Sequence, residues 1–277
     1  MRTADRRGNP RVADVGKDPT LAAMRLPALL ALLATSPLTL TAAPSFEDGF
    51  DGPEVDKAKW HVQEEKRKGA FNTARALTLK GGVLRITTYT EDGKHYTGFL
   101  TSARRFEQVQ GRFEARLRFS SRPGMWSAFW SMPMTYGASK DPDKADVDGL
   151  ELDIVEHLHQ FGGHYDTTIH WGGYGKPHQR TRTQRNKPAA PANQGWHTYA
   201  VEWDEAGYRF FYDDKLAWQA PKDVPVSKAP QHLILSSEVV DGGWSGKIAG
   251  GSFGSKSESS AWMEVDWVRA WPKGAKR

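Results

Sequence analysis

Three carboxylates stand within six residues near the middle of the chain, in the run Glu151-Leu152-Asp153-Ile154-Val155-Glu156. Hydrolysis of a glycosidic bond uses such groups. One carboxylic acid protonates the leaving oxygen, and a second carboxylate acts as nucleophile or as base toward water. Crowding serves that chemistry, because burial and mutual repulsion push the pKa values of neighbouring acids apart. The Leu, Ile and Val between the acids favour a strand, whose side chains alternate between two faces. Glu151 and Asp153 then share one face, with Leu152 and Ile154 on the other. Strict alternation would send Glu156 to the apolar side, so a β-bulge of one residue is predicted to return it to the acids.

A surface that holds sugar rings should accompany the acids, since aromatic rings present flat apolar faces to them. The chain has 11 tryptophans. The run from Gly124 to Trp130 puts Trp126, Ala128 and Trp130 on one strand face. His170 and Trp171 would arrive on a strand beside the acids. Trp244 stands in the glycine-rich run Asp241-Gly242-Gly243-Trp244, an unusual place for a core residue. Core packing explains any one of these rings, while the set points to sugar stacking by at least two. Arg180, Arg182, Arg185 and Lys187 form a basic cluster that reads either as a solvated loop or as an anion site. His157, His159, His164, His170 and His178 could hold a metal or serve as hydrogen-bonding histidines.

The elements that must position these groups are strands. Arg112 to Phe119 alternates polar and apolar residues without error, as a half-buried antiparallel strand does. Val83–Tyr89, Tyr199–Trp203, Tyr208–Tyr212, Leu233–Ser237 and Met263–Arg269 are rich in β-branched and aromatic residues. Asp92-Gly93 and Asp213-Asp214 read as hairpin turns. No segment carries a sustained helical stripe. The fold class expected is all-β, a sandwich of two antiparallel sheets.

Composition bounds the partners. The chain has 277 residues, no cysteine and a formal charge of +5. Residues 1–43 hold six basic and three acidic side chains, so the remainder is close to neutral and offers nucleic acid no electrostatic footprint. Arg25, the apolar stretch Pro27–Leu40 and the small residues Thr41-Ala42-Ala43 have the layout of an export signal. That stretch is short for a membrane span. We expect a non-native upstream extension over 1–23, a signal peptide over 24–43 and a single domain over 44–277. The mature protein should be a secreted or periplasmic monomer, free of the membrane.

Taken in order, these runs resemble glycoside hydrolase family 16, the laminarinase–agarase–carrageenase group of β-glycanases. The resemblance is carried by Phe46-Glu47-Asp48 through Trp60, Gly98–Ser102, Gly111–Arg116, Trp126–Trp130, the E-x-D-x-x-E run at 151–156, Trp196–Trp203 and Val265–Arg269. It implies a β-jelly roll of the concanavalin A-like type with a concave cleft. It also implies a retaining double displacement, with Glu151 as nucleophile, Glu156 as general acid/base and Asp153 tuning both. Trp126, Trp130 and His170 would line the cleft. Catalysis would use no cofactor, and Glu47 and Asp266 would contribute to a structural calcium site. The extra residue in the signature resembles the bulged branch, whereas the lichenase and xyloglucan-transferase branch has E-x-D-x-E.

Two departures bear on the substrate. Ser236 or Glu238 stands where many members have an asparagine-bearing strand, and the segment carrying Asn72 is short. We expect Glu238 and Asn72 at substrate subsites. The polysaccharide expected first is a β-1,3-glucan of the laminarin type, and a marine galactan (agar, porphyran or carrageenan) is the alternative. A non-catalytic carbohydrate-binding protein on the same fold would have lost a catalytic carboxylate, and none is lost.

Overall fold

The computed structural model describes residues 42–183 and 185–276. The expected upstream extension, and all but the last two residues of the expected export segment, lie outside the described residues. Alternation governs nearly every element. The run around Arg112 becomes the strand Gly111–Ser120, and its Phe113, Ala115, Leu117 and Phe119 enter the core. The other anticipated strands form at Leu84–Glu91, His197–Asp204, Gly207–Tyr212, Gln231–Val239 and Ala261–Trp271. Asp92-Gly93 joins Leu84–Glu91 to Lys94–Thr97, and Asp213-Asp214 joins Gly207–Tyr212 to Lys215–Gln219. All four turn residues have positive φ, as a tight hairpin matched to strand twist requires. Among the described residues, the α-helix is the four-residue Ala145–Asp148, and no helix is long and apolar enough to cross a membrane.

The strands assemble into a jelly roll of two sheets, with 11 and seven strands. The pairing is antiparallel except where Ala70–Asn72 runs parallel to Lys94–Thr97. The seven-stranded sheet carries the acids. Its order is Gln179–Arg182, Asp166–Trp171, Glu151–Leu158, Met125–Pro133, Gln231–Val239, Phe99–Thr101 and His61–Val62. Its core face supplies Leu100, Phe129, Leu152, Val155, Ile169, Leu233 and Leu235, which share a cluster with Leu84, Ile86, Phe113, Leu117, Val201, Trp203, Met263 and Val265 of the larger sheet. Each such side chain, fully buried, contributes about 1.5–3 kcal/mol. The outward face of the larger sheet is charged instead. There the buried Glu264 carboxylate lies between Arg85 and Arg118, and the Arg118 guanidinium stacks on Trp196 and Trp262.

Candidate active site

The site begins with the irregularity in the strand Glu151–Leu158. Toward Met125–Pro133, Phe129 faces Val155 and Trp130 faces Asp153, so Ile154 is passed over. Toward Asp166–Trp171, Asp153 faces Thr168 and Glu156 faces Asp166, which again leaves one residue more on the acid strand. The predicted bulge is present. Leu152, Ile154 and Val155 all sink into the core, while Glu151, Asp153 and Glu156 line one groove. A bulge leaves ladder groups without their usual partners, and here the gap is filled. Thr167 Oγ1 donates to the Ile154 carbonyl at 3.2 Å, and Asn186 Nδ2 donates to Thr167 Oγ1 at 3.2 Å.

The groove has a volume of about 430 Å³. Trp126, Ala128 and Trp130 face it from the neighbouring strand, as alternation predicts, and Trp244 also lines it. Trp130 is held by its indole N–H, which donates to Ser236 Oγ at 3.0 Å. Trp126 and Trp244 lie with ring centres 5.3 Å apart. Glu238 also reaches the groove, where Arg67 Nε at 3.0 Å and Lys68 Nζ at 3.2 Å neutralise it. The Lys68 ammonium sits 4.4 Å over the Trp126 ring.

Each acid has a different environment. Glu151 is pushed up to about 7 by burial and then by the charge of Asp153. The Tyr174 hydrogen bond and the His170 and Arg67 charges work against that rise. The Tyr174 hydroxyl donates to Glu151 Oε2. Glu156 is raised well above the ordinary carboxylate range, first by burial and then by Asp153, Glu151, Asp166 and Glu238. No cation offsets it among its named neighbours. Asp153 Oδ2 lies 3.2 Å from His170 Nε2. Burial opposes the His170 cation, yet its hydrogen bond to Asp153 and the nearby carboxylates outweigh that and raise its pKa. His170 Nδ1 lies 2.7 Å from His178 Nε2. Burial and the His170 charge lower the pKa of His178.

The structure brings Glu151, Asp153, Glu156, Trp126, Trp130, His170, Glu238 and Trp244 together, and leaves two expected cleft residues out. Trp171 follows His170 directly, so alternation turns it to the opposite face, where it packs on the core. Asn72 is buried and its amide donates to Gln63 Oε1 at 3.2 Å, away from the groove lining. Three groove residues were not anticipated: Arg67, Lys68 and Tyr174. The basic run Lys66-Arg67-Lys68 before Gly69 marks a turn, but no local pattern shows that it folds over the acids.

The histidines beside the acids satisfy hydrogen bonds. His157 Nδ1 meets Ser121 Oγ at 2.8 Å and His159 Nδ1 meets the Ser121 carbonyl at 3.0 Å. Calcium takes six to eight oxygen ligands, and the expected pair does not fit it. Glu47 is engaged by Arg269 at 2.7 Å, and Asp266 by Arg116 at 2.5 Å. Among the described residues, the donors that converge are Glu151, Asp153 and His170, each offering an atom within 4.8 Å of the others.

A family model described as Beta-porphyranase A-D, GH16 domain, matches residues 41–273. The chain belongs to glycoside hydrolase family 16. It is accordingly a glycoside hydrolase. A beta-glucanase of Rhodothermus marinus is 32% identical over 209 residues, spanning 69% of this chain and 68% of that protein. Beta-porphyranase E of Zobellia galactanivorans is 24% identical, covering 82% of this chain and 86% of that one. The solved laminarinase from Rhodothermus marinus superposes with a TM-score of 0.65 at 25% identity, over 83% of this chain and 96% of its own. Three other curated relatives are much longer, and this family-16 chain spans 37–43% of their lengths.

Proposed function

We propose that this family-16 hydrolase cleaves β-linked polysaccharide internally, with retention, by double displacement. The observation that carries this reading is the bulged strand, which sets two glutamates with different neighbours on one groove face with Asp153 between them. Glu151, whose rise to about 7 by burial and Asp153 is opposed by Tyr174, His170 and Arg67, is the group that can be a carboxylate and attack the anomeric carbon. Glu156, raised by four carboxylates and burial, keeps its proton to give to the leaving oxygen. It then accepts one from water as the glycosyl-enzyme is hydrolysed. His170 on Asp153 limits the negative charge crowded between them. Along the groove, Trp126, Trp130 and Trp244 give sugar rings faces to stack on.

For the substrate we place an anionic galactan of the porphyran type ahead of the β-1,3-glucan expected from the sequence. The family model and one relative bear the porphyranase name, and Arg182, Arg185 and Lys187 border a second cavity that shares Trp244 with the groove. Export remains part of this proposal.

Replacing Glu151 by Gln should abolish turnover. Glu156→Gln should cost about 10²- to 10⁴-fold on natural glycans. An aryl glycoside with an acidic phenol leaving group needs no protonation, so it should give a burst of phenol with Glu156→Gln and none with Glu151→Gln. The reverse pattern exchanges the two roles, and wild-type activity in either variant refutes the mechanism. Reducing-end release from porphyran, agarose, carrageenan, laminarin and mixed-linkage glucan ranks the substrates. NMR of the first-formed anomer tests retention.

A further inference from the structure

Past Trp244, the groove meets a second and larger cavity of about 900 Å³. Trp244 lines both spaces, and Asp166, which lines the second, pairs with Glu156 across the strands. Arg182, Arg185 and Lys187 border this cavity with His164 and Gln160. All three cations are exposed and none forms a close salt bridge among the described residues, while Asp166 feels the charges of Arg182 and Arg185. Arg67 and Lys68, by contrast, are already neutralised by Glu238. Asp166 is the one carboxylate among the lining residues, and it accepts the Arg185 backbone N–H at 2.9 Å.

The Arg185 position is built rather than incidental. Its backbone is left-handed, at φ 58, a conformation that a long side chain rarely adopts without support. The bond to Asp166 supplies that support, and the guanidinium lies 4.8 Å from the centre of the Phe161 ring. Arg182 sits opposite Thr168 on the edge strand Gln179–Arg182. The two guanidiniums therefore stand on backbone tied to the acid strand.

Charge decides what the cavity would take. The groove centre holds the attacking Glu151 carboxylate with Asp153 beside it, a charge that repels a polyanion, while Glu238 is already offset by Arg67 and Lys68. Three exposed cations against the single Asp166 carboxylate leave a positive surplus, which offsets that repulsion for a substrate bearing its own negative charge and gives a neutral glucan nothing. We propose that Arg182, Arg185 and Lys187 form a subsite for an anionic substituent, a sulfate ester, on a sugar unit lying beyond Trp244 from the cleaved bond. Guanidinium forks match the oxygens of a sulfate group, while the Trp244 ring holds the sugar that bears it. This inference rests on the anionic-galactan reading above and adds the place where the charge is read.

The test compares porphyran, chemically desulfated porphyran and laminarin, using wild type and Arg182→Ala/Arg185→Ala. The substitutions keep the Arg185 N–H that bonds Asp166. We expect the KM for porphyran to rise about tenfold in the variant with kcat within twofold, and the desulfated polymer to be unaffected. Raising NaCl should erase the wild-type preference for the sulfated form. Unchanged activity on the desulfated polymer also shows that the variant is folded. Should it misfold, Lys187→Gln provides a milder probe, with a smaller KM rise in the same direction. Porphyran turnover indifferent to sulfate and to both sets of substitutions overturns the subsite alone. Turnover of laminarin with none of either porphyran overturns the substrate reading and the subsite with it.

Discussion

At the scale of residues, the reaction needs Glu151 without a proton and Glu156 with one. Ionised Glu151 accumulates as pH rises through about 7, and Glu156, raised well above the ordinary carboxylate range by burial and its carboxylate neighbours, keeps its proton past the pH at which a free glutamate loses it. The profile of kcat/KM should therefore be a bell, with Glu151 setting its acid limb and Glu156 its alkaline limb. Tyr174→Phe removes a bond that holds the Glu151 pKa down. Its acid limb should move to higher pH, with a loss of about tenfold on the acid side; a uniform loss with both limbs in place contradicts this role. Linkage gives a second expectation. A carboxyl raised on folding binds its proton more tightly in the native state, so it destabilises the fold as pH climbs above the unfolded value of about 4.3. Glu156→Gln should raise Tm at pH 8 and leave it unchanged at pH 4, and equal shifts at both pH values contradict the linkage. The shared face of the acids was legible because three carboxylates in six residues have few other uses, whereas the roles assigned to them came from the family resemblance. Trp171 was misplaced because it was grouped with its neighbour His170 rather than assigned by alternation. Tyr174 and Arg67 were missed because distant loops deliver them.

At the scale of elements, the bulge was readable from the acids themselves, since Glu156 reaches the groove only if one residue is passed over. What fills the bulge was not readable. Thr167 looks like any strand threonine, yet its buried hydroxyl caps the Ile154 carbonyl. Thr167→Val keeps the shape and removes the donor, so the carbonyl is left unsatisfied. We expect a loss of about 1–3 kcal/mol in urea unfolding, with kcat falling more than KM rises, because Glu156 loses its fixed aim. A variant as stable and active as wild type means that the bulge needs no such cap. The hairpins at Asp92-Gly93 and Asp213-Asp214 were legible because positive φ restricts which residues can turn there. Strand order was not, since a two-residue period states which face a residue takes and not which strand lies beside it.

At the scale of the whole molecule, ligand and fold are linked, because the groove exists only when distant strands are paired. Glu151→Gln protein with an oligosaccharide at 100 times its Kd should gain about 2.7 kcal/mol. At about 2–4 °C per kcal/mol for a domain of this size, Tm rises by roughly 5–10 °C. Scanning calorimetry reads this directly, and a glycan that is cleaved by wild type yet gives no shift excludes the bound state we describe. The bond from Asn186 to Thr167 carries a last consequence, for how such an enzyme changes its diet. Asn186 sits between Arg185 and Lys187, in the loop whose cations we assign to substrate charge. A lineage, or an engineer, that exchanges this loop to suit another glycan also handles the peg that steadies the acid. Cations there are free to vary; the amide between them is not, and grafts that discard it should lose turnover before they lose binding.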